Sequence, residues 1–174
     1  NKLTEMPEHE QLKKMVKLGL IDLTNNFITK ANAFGKEINL TKVYLDYNQI
    51  NKINTTEDGY FCGYYDMESF TCTYNKLTEM PDIFNAKSKY VIGSVSFAHN
   101  EITGMQNDDN HRGVNTNNLD LSYNHLEKFP GVIIKKGSPL GILILQANGM
   151  TTIKEGDLVG PNSHLLTSLD FQFN

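Results

Sequence analysis

A stacked solenoid of parallel strands is the fold this sequence predicts, and three observations predict it. Asparagines recur in one frame at Asn1, Asn26, Asn48, Asn75, Asn100, Asn124, Asn148 and Asn174, with gaps of 25, 22, 27, 25, 24, 24 and 26 residues. A period of this size marks an architecture in which each unit buries its apolar side only against its neighbours. Ahead of most of these asparagines, apolar and polar residues alternate, as in Leu119-Asp120-Leu121-Ser122 before Asn124, and a period of two is that of a strand. Finally, the same seven residues, NKLTEMP, stand at 1–7 and at 75–81, which duplication explains.

Composition bounds the rest. A chain of 174 residues with 39% hydrophobic residues buries a substantial core in one domain. Its net charge of −4 lacks the basic footprint of a nucleic-acid binder. No apolar run approaches the ~20 residues needed to span a membrane; the longest, GILIL at 141–145, suits a buried strand. Cys62 and Cys72 make no disulfide framework. Cys72 sits where other repeats place leucine and reads as a small core residue, with a Cys62–Cys72 bridge as the alternative.

Alignment on the asparagines gives one inward set per turn. The first full turn supplies Leu18, Ile21, Leu23, Asn26 and Ile28, and the second Leu40, Val43, Leu45, Asn48, Ile50 and Ile53. Met67, Phe70, Cys72, Asn75, Leu77 and Met80 follow, then Ile92, Val95, Phe97, Asn100, Ile102 and Met105. The fifth has Leu119, Leu121, Asn124, Leu126 and Phe129, with Thr116 where its first apolar residue belongs. The sixth is Leu140, Leu143, Leu145, Asn148, Met150 and Ile153; the last is Leu166, Leu169, Phe171 and Asn174. Pro7 to Lys17 reads as a short helix, with proline and acids at its start and lysines at its end. The remaining connections, rich in Gly, Asn, Thr and Asp, read as irregular or 3₁₀ turns.

The asparagines have a physical task. After each strand the backbone turns away from the sheet and leaves polar groups inside the turn. An amide side chain both donates and accepts, so Asn26, Asn48, Asn75, Asn100, Asn124 and Asn148 are expected to be structural, bonded to the turns of neighbouring repeats.

The pattern LxxLxLxxNxL, in seven registered copies over essentially the whole chain, resembles the leucine-rich repeat superfamily. That resemblance implies an α/β fold, a right-handed horseshoe with a parallel sheet on its concave side and mostly irregular or 3₁₀ turns on the convex side. It also implies a ligand, usually a protein, met by the concave sheet. The single domain of about seven repeats over 1–174 starts and stops on a repeat asparagine without polar caps. The expectation is therefore an excerpt of a longer chain, with further repeats, another domain or a second copy covering Leu166, Leu169 and Phe171 at the C-terminal end.

Candidate ligand-binding residues are the outward ones. Four positions before the asparagine stand Asp22, Tyr44, Thr71 and Asp120; two before it is Asp46; one before it are Tyr47, Tyr74, His99 and Tyr123. Tyrosine beside aspartate suits contact, because tyrosine offers large amphipathic area at low entropic cost. The competing reading of the last column is that it only covers the strand-to-turn edge. Asp108 and Asp109 offer hard oxygen ligands, but their spacing fits no calcium loop and a solvated acidic loop is the plainer reading. The five histidines lack metal-ligand spacing, so no metal or cofactor is expected. No nucleophile elbow or phosphate loop occurs, and the chain reads as no enzyme. The expected function is protein recognition; a carbohydrate-binding surface and a structural spacer are the alternatives. Proline-bearing turns at 6–7, 80–81 and 129–130 resemble those of cell-surface and secreted repeats, so an extracellular or cell-surface setting is expected.

Overall fold

The computed structural model describes all residues except 1, 36, 56–60, 62–65, 84–89, 107–113 and 136–137. Seven short strands form one parallel sheet: β1 (Leu20–Asp22), β3 (Lys42–Tyr44), β5 (Met67–Thr71), β7 (Ile92–Ser96), β9 (Thr116–Asp120), β10 (Ile142–Ile144) and β11 (Ser168–Asp170). They pair in chain order with the expected register: Asp22 opposes Tyr44, which opposes Thr71, then Ser96, Asp120, Ile144 and Asp170. One rung per repeat, in parallel, is a solenoid.

Burial follows the same frame. Ile28, Val43, Leu45, Phe70, Cys72, Phe97, Leu121 and Leu143 are fully shielded. Phe34, Phe61, Phe70 and Phe97 make edge-on or tilted contacts at 5.3–5.8 Å, a phenylalanine spine through the core. Thr116, opposite Ile92, is wholly buried, and its hydroxyl donates to the Asn118 carbonyl at 3.0 Å. That bond explains why a polar residue is tolerated at an apolar place. Cys72 is free and buried, and desolvation raises its thiol well above the usual range; Cys62 lies outside the described residues, as do Asp108 and Asp109.

Three expectations are corrected. The N-terminal helix is a single turn, α1 (His9–Leu12), capped at Glu8 by a reciprocal box with Gln11. Leu12 alone is buried there, whereas Met15 and Val16 are 51% and 62% exposed, so a second turn has no core to pack against. The connections are more regular than predicted. β2 (Lys30–Asn32) pairs in parallel with β4 (Lys52–Asn54), and β6 (Glu79–Met80) with β8 (Gly104–Met105). Equal rungs bring the segments after the asparagine side by side, and buried Ala31, Ile53, Met80 and Met105 hold them. One helical turn, α2 (Val132–Lys135), and a 3₁₀ turn at Ser163–Leu165 complete the connections among described residues. Ile153, expected inside, is 45% exposed.

Candidate functional site

The asparagine ladder sets the geometry of everything outside it. Asn48 accepts the N–H of Ile28 at 3.1 Å and donates to the carbonyls of Leu23 and Leu45 at 2.9 and 3.1 Å. Asn75, Asn100, Asn124 and Asn148 repeat this on Ile50, Leu77, Ile102 and Leu126. Asn26 accepts from Leu3 and donates to Leu23. All but Asn148 are buried.

The ladder forces an unusual backbone on the residue before each asparagine. Asn25, Tyr47, Tyr74, His99, Tyr123, Ala147 and Phe173 all have positive φ, between 50° and 57°. For a non-glycine residue this left-handed conformation costs about 1–2 kcal/mol, and it persists because the surrounding bonds over-determine it. Those bonds run rung to rung, as from Tyr47 N–H to the Thr73 carbonyl at 3.0 Å and from His99 N–H to that of Ser122 at 3.0 Å.

With identical backbones one rung apart, the side chains stack. Tyr47 lies on Tyr74 at 4.4 Å, Tyr74 on His99 at 4.1 Å and His99 on Tyr123 at 4.2 Å, with interplanar angles of 8–10°. The tyrosines remain 43–50% exposed. Each inner ring has both faces closed by its neighbours. What the column offers to solvent is ring edges and the polar atoms they carry, with open faces only on the outer sides of Tyr47 and Tyr123. Partial loss of water, and then the adjacent Tyr47, raise the Tyr74 phenol above its usual value.

The candidate carboxylates have local partners. Asp22, Asp120 and Asp170 accept the N–H two residues on, from Thr24, Ser122 and Gln172, at 3.0, 2.9 and 2.8 Å. Those bonds cap the strand ends. The Thr24 hydroxyl, followed by the Thr24 N–H, holds the Asp22 carboxyl below its usual range. Asp46 accepts from Thr71 Oγ1 at 2.6 Å and from Thr73 N–H and Oγ1 at 2.7 Å each, which ties two rungs together. Tyr44 is half-buried on the outward side of β3, beside the Lys42–Glu68 ion pair at 3.0 Å. The aspartates thus accept from neighbouring backbone N–H groups and, at Asp46, from threonine hydroxyls, while the aromatic residues are exposed and assembled.

Among the described residues no cluster of His, Cys, Asp or Glu is arranged to hold a metal ion, and no helix is long and apolar enough to cross a membrane.

The whole chain superposes on two solved structures. A leucine-rich repeat protein from Bacteroides eggerthii DSM 20697 matches at 35% identity and a TM-score of 0.85, and one from Bacteroides thetaiotaomicron VPI-5482 at 39% and 0.83. This chain spans 30% and 22% of the length of those proteins, respectively. No family model and no curated protein matches the sequence. The stacked parallel rungs, the asparagine ladder and these likenesses make this chain a leucine-rich-repeat protein. Proteins of this class are generally interaction modules rather than enzymes.

Proposed function

We propose that this chain is a non-enzymatic recognition module that binds a protein partner through the outward side of the seven-stranded sheet and the ring column beside it. In this reading that side is the concave face of a right-handed horseshoe, and 1–174 is one domain. The observation that carries the reading is the column itself: Tyr47, Tyr74, His99 and Tyr123 are assembled on consecutive rungs and remain open to solvent. Exposed, pre-ordered tyrosine is an effective contact residue, because little rotamer entropy remains to be lost on binding.

The carbohydrate alternative is weakened by the same stacking. Sugars pack on open aromatic faces, and the inner faces of this column are closed. Half-buried Leu166, Leu169 and Phe171 support a covering unit against the C-terminal rung, since their counterparts Leu140, Leu143 and Leu145 are at most 2% exposed. The proline-bearing turns support an extracellular or cell-surface setting.

A photo-crosslinking residue in place of Tyr74 tests the proposal in the native host, with the same probe at Lys52 in the small sheet as control. A discrete polypeptide adduct from position 74 and none from position 52 is expected. Equal adducts at both positions, or none, would favour the spacer. A glycan-array signal abolished by Tyr74→Ser would favour the carbohydrate reading.

A further inference from the structure

The ring column contains one gap. Along the residues that precede the asparagines, four consecutive rings end at Tyr123, Ala147 follows, and Phe173 comes next, all with the same left-handed backbone. The rungs stay in step across the gap: Tyr123 N–H donates to the Gln146 carbonyl and Ala147 N–H to that of Gln172, both at 2.8 Å. Phe173 therefore occupies the column position two rungs beyond Tyr123, with only a methyl group between them.

The size of this gap follows from the column. Neighbouring rings step by 4.1–4.4 Å, and neighbouring parallel strands by about 4.8 Å, so two rungs leave roughly 8–10 Å between the Tyr123 and Phe173 positions. A single flat ring seated midway lies about 4–5 Å from each, close to the separations that stacked aromatic pairs adopt. Tyr123 is 45% exposed and Ala147 between the walls is only half-buried, so the gap is open to solvent.

The chemistry around the gap selects its occupant. Ahead of Gln146 the outward residues of rung six are apolar: Ile142 stands between Asn118 and Ser168, and Ile144 between Asp120 and Asp170. A pyranose carries hydroxyls around its rim, and those turned toward the Ala147 methyl would lose their hydrogen-bond partners. An arene presents only C–H there. The peptide that carries it would rest on Ile142 and Ile144, inside a frame of polar residues. An aromatic anchor in an apolar pocket with a polar rim is how protein interfaces concentrate their affinity.

We infer that Ala147 floors a slot that takes one aromatic side chain of a protein partner, held between Tyr123 and Phe173. This rests on the protein-recognition reading above and names what the partner must present. The test uses the whole chain with ¹³C-methyl alanine, titrated with N-acetyltryptophanamide and N-acetyltyrosinamide, and separately with methyl β-glucopyranoside. The arenes should move the Ala147 methyl upfield with saturation at about millimolar concentration, as small ligands allow, and leave buried Ala31 in place. Phe173→Ala removes one wall, keeps the reporter, and should weaken the response about tenfold. Ala147→Tyr fills the slot and should abolish saturation transfer to the arene. An Ala147 methyl that does not respond, that responds equally in Phe173→Ala, or that answers only the glucoside overturns the slot. A saturable arene response without any protein adduct at position 74 overturns the partner side chain as occupant. An adduct without an arene response overturns the slot and leaves the protein-recognition reading standing.

Discussion

Asn124 reaches back one repeat to Ile102: its Oδ1 accepts the Ile102 N–H at 3.0 Å, while its amide nitrogen donates to the carbonyls of Phe97, Leu121 and Ser122 at 3.0–3.1 Å. One side chain thus satisfies backbone groups on two rungs, and it is buried. Asn124→Ala leaves those groups unpaired and should destabilise by about 1–3 kcal/mol. Asn100, with the same bonds to Leu77, Cys72, Phe97 and Ala98, should behave alike. Urea denaturation measures both, and a variant as stable as the parent would mean that other bonds hold the turns.

The ladder and the rungs were legible because they depend on residue type at fixed spacing. Alternation and the recurring asparagine specify register, and Asp22, Tyr44 and Thr71 fall opposite one another as their offsets require. The ring column was legible only as a set of equal offsets. Nothing in a tyrosine reports that its backbone will be left-handed; that comes from the asparagine beside it bonding two turns at once. The local bonds of the aspartates were hidden for a related reason. A carboxylate two residues from an N–H reads as free for a ligand until the strand end is seen to need a cap. The small sheets of β2, β4, β6 and β8 were hidden because they follow the asparagine, where the apolar spacing lengthens to two and three residues and the alternation that marks a strand is lost.

Asp46 supplies a second prediction. Its three bonds to Thr71 and Thr73 join two rungs on the outward side, whereas Asp22 caps only its own strand. Hydrogen bonds to a charged group contribute about 1.5–3 kcal/mol, so Asp46→Ala should cost stability in that range and more than Asp22→Ala. Thermal midpoints of the two variants, compared at one pH, decide the order.

The stack itself should be cooperative. His99 bridges Tyr74 and Tyr123, so removing it splits a column of four rings into separate pieces. A double-mutant cycle on Tyr74→Ala and His99→Ala should return a coupling of about 0.5–1.5 kcal/mol, the size found for aromatic pairs. A coupling near zero would mean that the rings lie together only because the backbone places them so.

Acid should remove the Asp22 cap. Its folded carboxyl titrates below the ordinary 3.8, so its contribution is fully present above that pH and is lost as pH falls through the lower folded value. Asp22→Asn should flatten the parent's decline in stability below about pH 4. An unchanged decline would assign it to other carboxylates.

Alkali should act on the column through Tyr74. Its phenol is raised above the ordinary 10.0 by partial loss of water and by Tyr47, so between those values the folded chain holds a proton that the unfolded chain has released. Stability from this group is therefore intact below pH 10 and falls as pH rises through the folded value. Lys42, raised by its bond to Glu68, loses stability in the same direction at similar pH. The parent alone cannot separate the two groups. Tyr74→Phe keeps the ring and removes the titration, so urea midpoints from about pH 9 to 11 should decline less steeply in this variant than in the parent. Tyr47→Phe removes the neighbouring hydroxyl and should bring the Tyr74 titration, followed by tyrosinate absorbance, partway back toward its ordinary value. If Tyr74→Phe declines as steeply as the parent, the Tyr74 phenol does not couple to folding and the alkaline loss lies with other groups, Lys42 among them.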